Sequence, residues 1–250
     1  MAHLLARIAP RARRTSFPTA GATALALVAL CPLLWLYVRS AAPSVLAGDS
    51  AEFQFAAPLL GVPHPTGYPL YIMLGKLASL LPLGDVARRV TLLSALLAAA
   101  TCAVVALIAL RLTRRPLAAL LAALALGVTP GVWNIATIPE AYALNLLLIA
   151  ALGYCLVRVT SYELRITNDA QALDRDDASN VASSASADAL VTRYSSLVTR
   201  KWLCAAAFIT GLGVSHHGSF AFIAAPLLLF ALAPPLAGAA RSRRPALIAH

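Results

Sequence analysis

The sequence predicts an all-α protein: a polytopic bundle of transmembrane helices with a large first extracytoplasmic loop that carries short interfacial helices. Three observations predict it. Apolar residues make up 60% of the 250-residue chain and charged residues only 12%, about half the charged fraction of an ordinary soluble domain. Mean hydropathy is +0.78, and apolar runs of membrane-spanning length recur along the chain. The basic residues behind the net charge of +10 lie in the short connections between those runs rather than on one face. That placement suits topology determinants and argues against a nucleic-acid partner.

The elements follow in order. Residues 1–19 form a basic cytoplasmic N-terminus containing Arg7, Arg11, Arg13 and Arg14, and residues 20–38 form the first span. "VLA" before Gly48 resembles a small-residue cleavage site, but the apolar run is longer than a signal peptide's core and the possible cut lies well beyond its end. An uncleaved first span is therefore expected. Residues 39–89 make the first extracytoplasmic loop. Spans at 90–110, 116–132 and 138–157 make up a 90–157 unit, and a polar, low-complexity insertion occupies 158–201.

Two further spans, 202–214 and 219–236, form a 202–238 unit, followed by a basic cytoplasmic end at 239–250. The last residues, "RRPALIAH", look like the start of another apolar run, so the chain is expected to be part of a longer protein. With the N-terminus in the cytoplasm, only Arg39, Lys76, Arg88 and Arg89 of the 20 lysines and arginines fall on the opposite side. This positive-inside asymmetry sets the predicted topology. The small polar stretch "DRDDASNVASSASADA" has the composition of a disordered cytoplasmic segment, and Asp174, Asp176 and Asp177 within it read as solvated loop residues. Cys31, Cys102, Cys155 and Cys204 each lie in an apolar run without CxxC spacing, which predicts small buried residues and no metal site.

Outside the insertion few carboxylates remain, and Asp49, Glu52, Asp85 and Glu140 all fall at or near the extracytoplasmic side. The first group opens "GDSAEFQFAAPLLGVPHPTGYPLY". Asp49 and Glu52 have the spacing of a capping box. They also suit a catalytic pair, because partial burial raises a carboxylate's pKa and fits it to accept a proton. Residues 53–60 are too short to span and contain Pro58, so they read as a re-entrant or interfacial helix.

The loop after it is rigid, since each proline locks its own φ and pushes its predecessor to extended conformations. His64 sits there between two prolines, either facing a polar cavity or simply at the interface; Tyr68 and Tyr71 read as interface anchors or substrate contacts. Residues 68–83 are expected to form a helix along the membrane, with Lys76 snorkelling.

The second group is "VWNIATIPEAYALN", where Pro139 is expected at the first helical position and Glu140 just inside a span. A glutamate there is favoured by the helix dipole. With Tyr142 and Asn145 further along, it is equally a functional hypothesis. The third is "GVSHHGSF", which places His216 and His217 at an extracytoplasmic turn. Adjacent histidines do not share a helical face, so they are not a metal pair. One could bind phosphate or sugar hydroxyls, or both could be bystanders.

These motifs resemble the DUF2723 family of polytopic membrane proteins, which includes transmembrane protein 260-like protein O-mannosyltransferases. Gly48, Asp49, Ser50, Glu52, Gly61, His64, Pro65, Gly67, Tyr68, Pro69 and Leu70 fit its first motif, with Thr66 where a second proline is usual. Trp133, Glu140, Tyr142, Leu144 and Asn145 fit its second, and "GLGVSHHGSF" is similar to a third segment. The resemblance implies a GT-C type of membrane glycosyltransferase. Such an enzyme takes a sugar, here mannose, from a polyprenyl or dolichyl phosphate and places it on an extracytoplasmic protein acceptor, with inversion.

It further implies Asp49 as base and Glu52 as alternative base or orienting group. His64, His216, His217, Arg88 and Arg89 are candidates for the leaving phosphate, and no metal or other cofactor is implied. The membrane would be the endoplasmic reticulum in a eukaryote or the plasma membrane in a bacterium. Two rival readings are a transporter or flippase, which predicts polar residues at mid-membrane in broken helices, and a noncatalytic subunit that binds lipid-linked sugar.

Overall fold

The computed structural model describes residues 19–65, 67–176 and 181–242. Every regular element among them is an α-helix. Helix α1 (Thr19–Ser40) is 22 residues long, about 33 Å at 1.5 Å per residue and enough to cross a bilayer core. Two short helices follow, α2 (Asp49–Leu59) and α3 (Pro69–Ser79), and then the long α4 (Val86–Thr113). Helix α4 starts four residues earlier than the expected span at 90, because Asp85 in extended conformation begins it.

The span expected as one helix over 116–132 is broken. It consists of α5 (Pro116–Gly127) and α6 (Pro130–Thr137), bent by 65° at the break. The cause is local. Thr129 precedes Pro130 and is held extended at φ −64°, ψ 143°, as a pre-proline residue must be. Its hydroxyl takes up the freed carbonyl of Leu126 at 2.7 Å.

The same effect moves the next boundary. Ile138, before Pro139, is extended, so α7 (Ala141–Asp176) starts three residues later than expected and leaves Glu140 just outside its first turn. Helices α8 (Val181–His216) and α9 (Ser219–Ser242) complete the described chain. The polar insertion expected to lack fixed structure is helical up to Asp176 and again from Val181; residues 177–180 lie outside the described residues. Alanine, leucine and arginine are good helix formers, and extending a helix already nucleated in the membrane avoids the cost of a new nucleus.

Among the described residues, three helices are long and apolar enough to cross a membrane: Thr19–Ser40, Val86–Thr113 and Ala141–Ser161. Contacts fix their directions. Ser94 of α4 meets Glu140, at the start of α7, and Arg111 further along α4 meets Tyr154 further along α7. The two helices therefore run parallel, which requires α5 and α6 together to carry the chain back across as a fourth, broken span. Helix α8 returns antiparallel to α7, bringing His216 to the carbonyl of Ala141.

The packing of α1 on α4 uses a stripe of small residues, Ala95, Ala98, Ala99, Cys102 and Ala106, all buried. Small residues let helix backbones approach where lipid supplies no hydrophobic drive between helices. Cys102 and Cys155 are buried as expected, whereas Cys31 and Cys204 are exposed on the outer surface. Leu33 and Tyr37 of α1 close over Gly127 at the break, and the Tyr37 hydroxyl donates to the Gly127 carbonyl at 2.7 Å.

Candidate functional site at one end of the bundle

Gly48 has φ 68° and ψ −147°, a conformation open to glycine and costly for other residues. It turns the chain into α2, and its carbonyl accepts the N–H groups of Ala51 and Glu52. Asp49 thereby becomes the first helical residue and is exposed. This replaces the expected capping box. Gly48 is the cap, and Glu52 reaches forward rather than back: its Oε2 accepts from the His64 backbone N–H at 3.2 Å and from Nδ1 of the same residue at 2.7 Å.

The loop can return to Glu52 because α2 ends sharply. Leu60 is left-handed at φ 54°, and Gly61 N–H bonds the Ala56 carbonyl at 2.9 Å. Pro58 lies in the last turn and does not interrupt the helix. Lys76 does not snorkel. Its ammonium donates to the Pro58 carbonyl at 2.6 Å and ties α3 to the end of α2, while Gly75 lies directly against Ala57. The segment carrying Asp49 is held from the other side by Gln54. Its amide accepts from Leu46 N–H at 2.9 Å and donates to the Ser44 carbonyl at 3.1 Å and to Thr91 at 3.2 Å.

Tyr68 is the centre of the site. Although it precedes Pro69, it is not extended: φ is 46° and ψ 51°, a left-handed conformation rare for a bulky residue. That turn buries its ring among Phe53 (5.3 Å between centroids), His64 (5.3 Å), His216 (6.0 Å) and His217 (5.5 Å). Tyr142 packs on His217 from α7 at 5.1 Å. Three stretches far apart in sequence thus meet on one ring.

Glu140 joins them. Its N–H donates to Ser94 Oγ at 3.0 Å, and Ser94 is bonded to the buried Tyr71 hydroxyl at 2.7 Å. Tyr71 is thus a buried anchor for this strut rather than an interface residue. Burial pushes the Glu140 carboxyl above the usual range, the negative charge of Asp49 adds to this and His64 opposes it. Glu52 moves the other way, since the His64 ring and backbone N–H hold its carboxyl below the usual range. One end of the bundle therefore presents carboxyls shifted in opposite directions by their surroundings.

Both later histidines are pulled down by burial. His216 is fully buried with Nε2 at 3.2 Å from the Ala141 carbonyl. Nδ1 of His217 lies 2.6 Å from Ser219 Oγ, and buried Asn145 donates to the same hydroxyl at 3.4 Å.

Of the residues expected from sequence, Asp49, Glu52, His64, Tyr68, Glu140, Tyr142, Asn145, His216 and His217 are brought to this end. Arg89 is engaged elsewhere, donating to the carbonyls of Ser79 (2.8 Å) and Gly84 (2.6 Å) at the corner before α4, and Arg88 lies half-buried on the same turn. Phe53, Gln54, Ser94 and Ser219 were not singled out in the sequence. Phe53, Gln54 and Ser219 lie inside the quoted motifs, while Ser94 carries no local signal.

The fold and the site define a class: a helical membrane protein whose loops gather acids, imidazoles and tyrosines at one end of the bundle. The chain belongs to the family described as Protein O-mannosyl-transferase TMEM260 N-terminal domain, which it matches over residues 49–234. That family agrees with the resemblance drawn from the three motifs. A mouse protein named Protein O-mannosyl-transferase TMEM260 is 36% identical over 116 residues, 46% of this chain and 16% of the mouse protein. The chain thus aligns with a small part of that relative. No solved structure matches.

Proposed function

We propose that this chain forms part of a membrane glycosyltransferase that moves mannose from a polyprenyl or dolichyl phosphate to a hydroxyl of a protein on the extracytoplasmic side. The observation that carries the reading is the gathering of His64, His216 and His217 on the ring of Tyr68, with Glu52 bonded to His64 and with Glu140 close enough to Asp49 and His64 to feel their charges. Family membership supports the same chemistry, and the membrane is that of the endoplasmic reticulum in a eukaryote or the plasma membrane in a bacterium.

In the proposed step Asp49 takes the acceptor hydroxyl's proton while the oxygen attacks C1 of the sugar. The bond from C1 to the phosphate oxygen breaks, C1 inverts, and the lipid monophosphate departs. Glu52 is bonded to His64 and acts as its positioning residue, which leaves the exposed Asp49 as the base. Glu140, its carboxyl held above the usual range by burial and by the charge of Asp49, supplies a second carboxyl beside the proposed base. The leaving phosphate meets N–H donors from the histidine corner; Arg88 and Arg89 lie farther back in this scheme, with Arg89 already committed to carbonyls.

The test is transfer of labelled mannose from lipid-phosphate donors in membranes expressing the full-length gene, with Asp49, Asp49→Asn or Glu52→Gln at matched protein levels. Loss of about 10²–10⁴-fold with Asp49→Asn, the scale of a general base, and a smaller loss with Glu52→Gln are expected. The broken α5–α6 pair favours a second reading, a transporter, since such proteins bind substrate at interrupted helices. Transfer that survives both substitutions would bring that reading, or a noncatalytic sugar-binding subunit, forward.

A further inference from the structure

Hydrogen bonds at two of the three histidines, His64 and His217, assign the ring protons. At His64, Nδ1 faces an ionised carboxylate, which only accepts, so Nδ1 donates and Nε2 is left to accept. His217 is arranged the other way. Its Nδ1 lies 3.1 Å from the backbone N–H of Ser219, and a backbone N–H only donates. Nδ1 must therefore carry a lone pair, and the single proton of the neutral ring is on Nε2. The Ser219 hydroxyl, 2.6 Å from the same Nδ1, adds a second bond. Asn145 sets its direction, because the amide N–H donates to Oγ at 3.4 Å and leaves the hydroxyl's own hydrogen for His217.

We propose that Ser219 is a positioning residue that locks His217 as the neutral Nε2–H tautomer, making His217 a hydrogen-bond donor to an anionic oxygen rather than a base or a cation. Both bonds come from one residue at the first position of α9. Tyr68 and Tyr142 cover the ring at 5.5 Å and 5.1 Å, so its edges remain for hydrogen bonding, and the Nε2 edge points away from Ser219. Among the described residues, the titratable side chains whose rings pack on this corner are Tyr68 from the loop before α3, Tyr142 from α7 and the adjacent His216. A donor of this kind needs no proton uptake before it binds. On the functional reading above, on which the identity of the ligand rests, the oxygen belongs to the lipid monophosphate.

The experiment is ¹⁵N NMR of histidine-labelled full-length protein in lipid nanodiscs at pH 7, with His217 assigned by its disappearance in His217→Gln. The expected wild-type spectrum has an unprotonated Nδ1 and a protonated Nε2. Ser219→Ala, which keeps the backbone N–H, retains that tautomer. Ser219→Pro removes the N–H and the hydroxyl together and puts its ring where the bonded hydrogen was, against Nδ1, and it moves the tautomer ratio at least about five- to tenfold toward Nδ1–H, the loss of one ordinary hydrogen bond or more. A wild-type His217 that is protonated on Nδ1 overturns the proposal. So does a folded Ser219→Pro protein with an unchanged ratio. If Ser219→Pro does not fold, the wild-type spectrum alone tests the tautomer, and a His217 protonated on Nδ1 still overturns the proposal.

Undecaprenyl phosphate added to the nanodiscs should shift the wild-type Nε2 resonance, and no shift overturns the ligand assignment. The tautomer is read without any turnover. A locked His217 in a protein that transfers no mannose would therefore sink the transferase reading while the positioning role stood.

Discussion

At the scale of single residues, the site works through carboxyls whose surroundings pull them apart. Glu52 is held below the usual range by His64. Its bond therefore steadies the loop at pH values above the ordinary carboxyl pKa, and this is lost as pH falls through the lowered one. Amide protection at His64 should persist down through the ordinary carboxyl range and be lost only below it. In Glu52→Gln the dependence should flatten, because the uncharged amide still accepts the backbone N–H but has no proton to gain.

Glu140 has the opposite sign. Its raised pKa means that burial favours the protonated form, a contribution complete below the ordinary carboxyl pKa and lost as pH rises through the raised one. Glu140→Gln should thus unfold at the same or higher temperature at pH 7. Asp49→Asn should lower the midpoint of the Glu140 titration, followed as the pH dependence of thermal unfolding. An unmoved midpoint would mean that the two carboxyls do not sense each other. The residues themselves were visible in the sequence because acids are scarce there, but their partners were not. The spacing of Asp49 and Glu52 suggested a cap, and nothing local announces that a histidine twelve residues on takes the second carboxylate.

At the scale of elements, glycines set how closely helices approach. A Cβ on Gly213 would meet three atoms of the Phe220 ring at 2.5 Å, whereas one on Gly211 would meet nothing within 4 Å. Gly213→Ala should therefore destabilise the protein by about 1–3 kcal/mol, the usual cost of overpacking. It should also reduce transfer, because Phe220 adjoins the corner that carries His216 and His217. Gly211→Ala should be neutral or stabilising by about 0.5–1 kcal/mol. Detergent-solubilised thermal unfolding of the pair checks both, and equal effects would remove Phe220 as the cause.

Helix existence was legible at this scale, and boundaries failed wherever proline decided them. Thr129 and Ile138, each before a proline, broke one expected span and moved the start of another. Tyr68 is the converse case, since its place before Pro69 predicts extended backbone. The packing of Phe53 and three histidines around its ring holds it left-handed instead.

At the scale of the whole molecule, parallel α4 and α7 place Asp49, Glu140 and His217 at the same end. The distribution of basic residues orients that end away from the cytoplasm. In a background lacking native cysteines, Ser44→Cys should react with an impermeant maleimide added outside sealed cells, and Thr113→Cys only after permeabilisation. The reverse pattern would invert the orientation and leave the proposed donor on the wrong side.

Composition and periodicity were enough to determine that this is a helical membrane protein, which end of it carries the acids, and to which family its motifs point. Those are properties of the chain's average interaction with lipid and water and of short local patterns. Tertiary structure alone decided that Glu52 serves His64, that Lys76 and Arg89 are spent on backbone carbonyls, and that Ser219 sets the proton on His217. Each of these depends on which of several polar partners reaches a donor or acceptor first. That choice is made by the course of the folded chain, and no local pattern records it even where the partners are near in sequence, as His217 and Ser219 are.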